Sequence, residues 1–249
     1  TLRLAAPVLV AAGTAELKTL TKFRAEVRQK QLVSRIVAHL HDDELDKLVL
    51  PGLEVRVVTP AVIQHVLAGP CKLGELSDEQ SEALFEKMQR EVILVDSEDG
   101  EDGVLHYRQD IRLIMLRGQS GKLTEQTRQI HENAVALWDG REGALARAEE
   151  LYHRLRLSQP TETLNRHWRE EAAPLLRSTL EELPARSAAR VWLAGKLKVV
   201  LKAGHSTAAT QAGWEELAAL EARQLLLQGE AEKALKVLSR RRERQPGSP

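Results

Sequence analysis

Along most of this chain apolar residues recur at i, i+3, i+4 and i+7, and only short interludes alternate at i, i+2. Val33, Ile36, Val37 and Leu40 set the first stripe and predict a helix over 29–40. Asp42 to Leu50 predicts a second, short helix ended by Pro51-Gly52. Leu53, Val55 and Val57 then alternate with Glu54 and Arg56, the period of a half-buried strand. Thr59 and Pro60 are an N-cap and a first helical residue, with Ile63, Val66 and Leu67 inward and Gly69-Pro70 as the stop. Ser77, with Gln80 three positions on, is a capping-box pair and predicts a helix over 78–91 with Leu84, Phe85 and Met88 inward. Val92 to Val95 and Val104 to Tyr107 are β-rich and flank an acidic turn with two glycines, which reads as a hairpin. Helix, strand, helix, helix, hairpin is the order of a winged helix-turn-helix domain.

After the hairpin the signals are almost all helical. Asp110 is placed to cap a helix carrying Ile111, Ile114 and Met115, and 123–138 continues with Ile130, Ala134, Leu137 and Trp138. Asp139-Gly140 breaks that helix, and Ala148, Leu151, Tyr152 and Leu155 mark its partner. The same grammar returns at Leu217 to Leu227, a turn at Gly229, and Ala231, Ala234, Leu235 and Leu238. Small residues at these places let paired helices approach closely, as in tetratricopeptide-type arrays. Pro160, Pro174 and Pro184 punctuate the helices between.

The expected fold class is therefore mostly α: a winged helix-turn-helix domain with a small β-hairpin, then a tetratricopeptide-like helical array. The expected borders are 1–28 for a leading helical segment, 29–121 for the winged helix, 122–244 for the helical unit and 245–249 for a disordered tail. A length of 249 residues suits two domains, and 3% aromatic residues leave Leu, Ala and Val to fill the cores, which favours helix packing over an all-β fold. One cysteine, Cys71, makes no internal disulfide and points to a reducing, cytoplasmic setting. The longest apolar run, Leu4 to Gly13, is too short to cross a bilayer, so no membrane partner is expected. The chain opens on Thr1 rather than Met, and the expectation is a piece of a longer protein.

Candidate chemistry narrows quickly. Gly118-Gln-Ser-Gly121-Lys122 has the look of a phosphate loop, but Leu116 stands where its first Gly belongs and Leu123 where its Ser or Thr belongs, so it reads as a turn between helices. His39 and His41 are the one close histidine pair and would point to different sides of a helix, so no metal site is expected. Cys71 and His65 lie six residues apart across Gly69-Pro70, and Cys71 reads as a small apolar residue. The carboxylates fall on expected solvent faces, and no catalytic residue is nominated.

Charge decides against the obvious use of a winged helix. Lys plus Arg and Asp plus Glu balance at 36 each overall, yet from Asp42 to Asp102 there are 16 acidic residues against 5 basic, a net −11. The helix in the recognition position carries Asp78, Glu79, Glu82, Glu86 and Glu91, and the wing tip reads Ser97-Glu-Asp-Gly-Glu-Asp, so both would repel phosphates and DNA is disfavoured. Arg240, Arg241, Arg242 and Arg244 form the one dense basic run, as expected of a solvated helix end. With Lys236 and Glu150, read as exposed beside the Leu235 and Leu151 stripes, they are the interaction candidates.

The stretches Leu48-Val-Leu-Pro-Gly-Leu53, Leu67-Ala-Gly-Pro-Cys71, His106-Tyr-Arg-Gln-Asp110-Ile-Arg112 and Ala148-Glu-Glu-Leu-Tyr-His-Arg154 carry a resemblance. In this order they resemble the region after the nucleotide-binding core of bacterial AAA/STAND-type signalling ATPases, where a winged helix leads into helical repeats. Thr1-Leu-Arg-Leu-Ala-Ala6 resembles the lid helix after a Gly-x-Pro sensor in such proteins. The resemblance implies an ATP- or ADP-binding core before Thr1 and no cofactor in this chain. Family members often end the winged helix with Met-His-Asp; here Asp110 matches while Arg108 and Gln109 depart, leaving His106 and Asp110 as nucleotide-sensing candidates. The implied role is a non-catalytic regulatory fragment that holds the ATPase core in check and receives a protein partner through its helical array. The alternative is a winged-helix transcription regulator with a helical sensor domain.

Overall fold

A computed structural model describes residues 42–90, 95–96, 103–117, 123–185, 187–201 and 211–239. The expected helix over 29–40, the leading segment, the wing tip, the Gly118–Lys122 turn and the run from Arg240 onward lie outside these residues. The described residues are mostly helical, and the chain divides into two compact units, Thr1–Lys122 and Leu123–Pro249.

The first unit opens on α1 (Asp43–Gly52), where Asp42 caps the helix by accepting from the amides of Glu44 and Leu45 at 2.9 and 3.2 Å. The helix ends at Pro51-Gly52 as expected, with Pro51 inside its last turn rather than just beyond it. There it forfeits a single backbone bond, and the amides of Glu54 and Val55 close onto the carbonyls of Pro51 and Gly52. The half-buried strand expected over 53–57 is corrected. Only β1 (Val57–Val58) is strand, and Glu54 and Arg56 are as buried as their apolar neighbours. Tertiary cover overrides the alternation: Arg112 Nε donates to the Leu53 carbonyl at 3.0 Å, and Tyr107 packs directly on Gly52.

Thr59 caps α2 (Pro60–Val62), which widens into one π-helical turn (Ile63–Leu67), and the chain then turns through Lys72 at φ 58° and Gly74 at φ 79°. Gln64 Nε2 donates to the Leu76 carbonyl and to Asp78 Oδ1, both at 2.9 Å, and so sets where α3 (Asp78–Gln89) begins. The capping box is present in both directions, Gln80 N to Ser77 Oγ at 3.3 Å and Ser77 N to Gln80 Oε1 at 2.8 Å. Leu84, Phe85 and Met88 are buried as their spacing predicts. β2 (Val95–Asp96) and β3 (Leu105–Tyr107) form the hairpin, and β3 also pairs with β1, so the antiparallel sheet has the order β1-β3-β2. α4 (Gln109–Arg117) follows.

The second unit begins with the hairpin of α5 (Glu125–Trp138), capped by Thr124, and α6 (Ala144–Arg156). The connection needs glycines at Gly140 and Gly143, whose φ values are 75° and 98°. α7 (Thr161–His167), a 3-10 turn (Glu170–Ala172), α8 (Ala173–Leu176) and α9 (Thr179–Glu182) then pass in short steps to α10 (Ala188–Lys196). These short pieces follow the punctuation expected at Pro160, Pro174 and Pro184, with Pro160 at the start of α7 and Pro174 in the first turn of α8. Ala148, Leu151, Tyr152 and Leu155 of α6 share one core with Leu164, Ala172, Leu176 and residues 189–197. Trp192 Nε1 adds a hydrogen bond to Asn165 Oδ1 at 3.0 Å, tying α10 to α7.

A second hairpin, α11 (Gln211–Leu227) and α12 (Ala231–Leu238), turns at Gly229 with φ 79°. The stripe expected on α12 is corrected: Ala234 and Val237 are its buried residues, while Ala231, Leu235 and Leu238 are exposed. The inward face is rotated because α11 meets α12 along Trp214, Ala218 and Val237.

Candidate functional site

Three places hold the residues that bear on function: the outer face of α3, the end of the small sheet, and a group of charges buried in α6. On α3 the capping box fixes the first turn, and burial of Leu84, Phe85 and Met88 turns Asp78, Glu79, Glu82 and Glu86 to water. The two cations at the end of this helix are both engaged, and Arg90 Nη2 lies 3.7 Å from Glu86 Oε2. Lys87 Nζ lies 2.6 Å from Asp42 Oδ2 and 3.3 Å from Glu44 Oε2 of α1. That contact holds the Asp42 carboxyl below its ordinary value and raises Lys87. Glu79 is lowered as well, by the hydrogen bond from the Ser77 hydroxyl at 2.7 Å. Asp42 and Glu79, held low, and Lys87, held high, therefore stay charged at neutral pH.

His106 is the half-buried middle residue of β3, with Val57 and Asp96 as its backbone partners in register. Asp110 is not the cap of α4. The helix starts at Gln109, the Arg112 amide bonds the Arg108 carbonyl at 3.1 Å, and Asp110 is the second helical residue. Its backbone place therefore belongs to the first turn. Cys71 is buried, and burial pushes its thiol up to about 12. His65 is exposed, whereas the thiol is not.

The largest departure from the sequence reading is at Glu150. Expected on the surface, it is 1% exposed, because α6 is covered by α5 on one flank and by α7 to α10 on the other. Its Oε1 accepts from Arg154 Nε and Nη2 at 2.9 Å and lies 2.6 Å from His167 Nδ1, while Oε2 accepts from Arg147 at 3.3 Å. Arg154 also donates to Gln159 Oε1 at 3.0 Å and faces Asp139 at 3.6 Å. A buried carboxylate held this way is a fold clamp. The oxygen and nitrogen atoms of Asp139, Glu150 and His167 lie within 4.8 Å of one another, the spacing of a cation site. The Arg154 guanidinium occupies that place, so the protein supplies its own cation and a metal ion would meet like charge. Sequence reasoning missed this group, although the Glu150/Arg154 spacing of i, i+4 was its one visible trace.

One turn away, His131 and His153 are fully buried with their Nδ1 atoms 2.8 Å apart, and the Tyr152 ring stands edge-on to both. That contact needs one Nδ1 to carry a proton and the other to accept it. Of the remaining interaction candidates, Lys236 is exposed on α12, and Arg240, Arg241, Arg242 and Arg244 lie outside the described residues. Among the described residues no helix is long and apolar enough to cross a membrane.

No protein-family model matches this chain, and no curated protein or solved structure is significantly similar to it.

Proposed function

We propose that this chain is a non-catalytic regulatory and protein-interaction region of a STAND-type signalling ATPase, in which a winged-helix unit restrains the nucleotide-binding core and a helical unit receives a protein partner. The observation that carries this reading is the order β1-β3-β2 with α2 and α3 between β1 and β2. It is the sheet order a winged helix requires when its hairpin returns to pair with the first strand. The helical hairpins that follow accord with the repeat-bearing half of such proteins, and ATP or ADP would belong to the core rather than to this chain.

The acidic outer face of α3 supports a protein partner over DNA. A winged helix inserts its third helix into the major groove, and here that helix would set Asp78, Glu79, Glu82 and Glu86 against phosphates with Lys87 already committed. Two measurements test the reading. Fluorescence anisotropy with mixed-sequence duplex DNA at low salt should show no binding, and salt-sensitive binding would favour the transcription-regulator alternative. The gene upstream of Thr1 should encode a Gly-rich phosphate loop and an acidic Mg²⁺-binding strand, and a different upstream domain would overturn the ATPase parentage. The chain itself is expected to turn over no ATP beyond a Lys122→Ala control.

A further inference from the structure

α5 is the first helix of the second unit, and among the described elements it packs extensively on α6 alone. Its buried residues are Thr127, Ile130, His131, Ala134 and Trp138, so one ionisable side chain sits in the face that docks it. α6 has a second attachment, the core that Ala148, Leu151, Tyr152 and Leu155 share with Leu164, Leu176 and Leu193. α5 can therefore leave α6 without dismantling that core.

His131 meets His153 of α6, both rings 0% exposed and their Nδ1 atoms 2.8 Å apart. With both rings neutral, one Nδ1–H donates to the other Nδ1; with one proton added, the imidazolium donates to the neutral ring. A second added proton sets two N–H groups head to head at that distance, two like charges out of water, and the contact is lost. The charges around the pair do not offset this. Glu149, one turn before His153 and buried, balances one imidazolium at most, and half-buried Arg156, one turn after it, adds positive charge. Arg128 and Glu132 of α5 are exposed, as are Glu162 and Arg166 of α7 and Glu170 and Glu171 of the 3-10 turn, and water screens them. His167 is held on Glu150, Arg190 on the Leu183 carbonyl, and Lys196 over the Trp192 ring.

We propose that the His131–His153 contact is an acid-released latch: when both rings are protonated, α5 comes off α6 and bares Ile130 and Ala134, while the core of α6 to α10 stays folded. The latch rests on the geometry of this helical hairpin and makes no use of the ATPase parentage. In the released hairpin both rings titrate near the ordinary histidine value of about 6.5. Above that pH neither state binds extra protons and the latch holds. Below it the released hairpin binds at least one proton more than the docked one, so the opening constant rises about tenfold for each pH unit.

Hydrogen exchange followed by mass spectrometry on the full chain, from about pH 7.5 to about 5.5 and corrected for intrinsic rates, tests this. Protection of the α5 amides should fall about tenfold per pH unit below about 6.5, with α10 remaining the better protected helix. His131→Asn/His153→Asn sets a side-chain amide near each Nδ1 position, keeps a hydrogen bond and cannot titrate, so the fall should vanish. No fall in the parent chain, or one that survives in the double variant, would overturn the latch. So would α5 and α10 losing protection to a common level, the mark of global unfolding. If the double variant does not fold, ¹⁵N NMR of the imidazoles in the parent chain decides. One ring staying neutral for as long as α5 is docked supports the latch, and a docked hairpin with both rings protonated overturns it.

Discussion

Helix α3 carries Asp78, Glu79, Glu82 and Glu86, and all four stand in water; helix α6 carries Glu149 and Glu150, and both are buried. The helices have nearly the same length, 12 and 13 residues. What differs is the number of flanks covered. α3 packs one face on the first unit's core, so its charges are solvated and set up a negative field at the surface. α6 lies between α5 and the short helices that follow, so its carboxylates must be satisfied inside. Charge on the first helix stays in water, and charge on the second holds the fold.

The comparison breaks most easily at Glu150. Glu150→Ala leaves Arg154 buried without its main partner, and breaking a buried pair costs about 3 to 5 kcal/mol. Chemical denaturation should show that loss, and Glu150→Ala/Arg154→Ala should lose less than the two single changes added together. If Glu150→Ala melts like the parent protein, the clamp assignment is wrong. Leu151→Ala, on the same helix, should cost about 2 to 5 kcal/mol through the cavity it leaves in the shared core. An equal loss from Leu235→Ala on α12 would show that its outer flank is covered after all.

On α3 the expected effects are smaller. Ser77→Ala removes the cap of Gln80 N and should cost about 1 kcal/mol by thermal melt. The Asp42–Lys87 contact gives a weaker, pH-dependent effect of about 0.2 to 1 kcal/mol, since both side chains are partly in water. Asp42 titrates below its ordinary value of 3.8, so its contribution is present above that pH and disappears as the pH falls through the lowered value. Stability of Lys87→Met should therefore converge on that of the parent protein only in strong acid, and a gap that persists there would assign the effect to packing. Smallest of all, Glu82→Gln with Glu86→Gln should change stability by about 0.5 kcal/mol or less. The same pair should still raise any residual DNA affinity at low salt.

How much of this was legible depended on whether a signal is local. Ser77 and Gln80 sit three residues apart, and nothing distant alters what they do for the helix start, so the cap and the inward face of α3 were readable. The stripe of α6 was readable for the same reason. Periodicity gives the spacing of apolar positions but not the number of neighbours a helix has. Glu150 therefore looked like a surface residue and Leu235 like a core one, and each lies on the other side of that line. Glu54 and Arg56 failed likewise, because Arg112 and Tyr107 arrive from more than 50 positions away onto Leu53 and Gly52 beside them. The link from Glu150 to His167 was hidden by the same kind of distance.

The contact between Gly52 and Tyr107 makes two remote positions behave as one in substitution. A methyl group on residue 52 would collide with the Tyr107 hydroxyl, which itself has no hydrogen-bond partner among the described residues. Any lineage of this chain that acquires alanine at position 52 should therefore carry phenylalanine rather than tyrosine at position 107, so the shape of the first unit is written into a pairwise correlation. That correlation would allow distant relatives to be aligned through this pair of positions even where their helices have diverged beyond recognition.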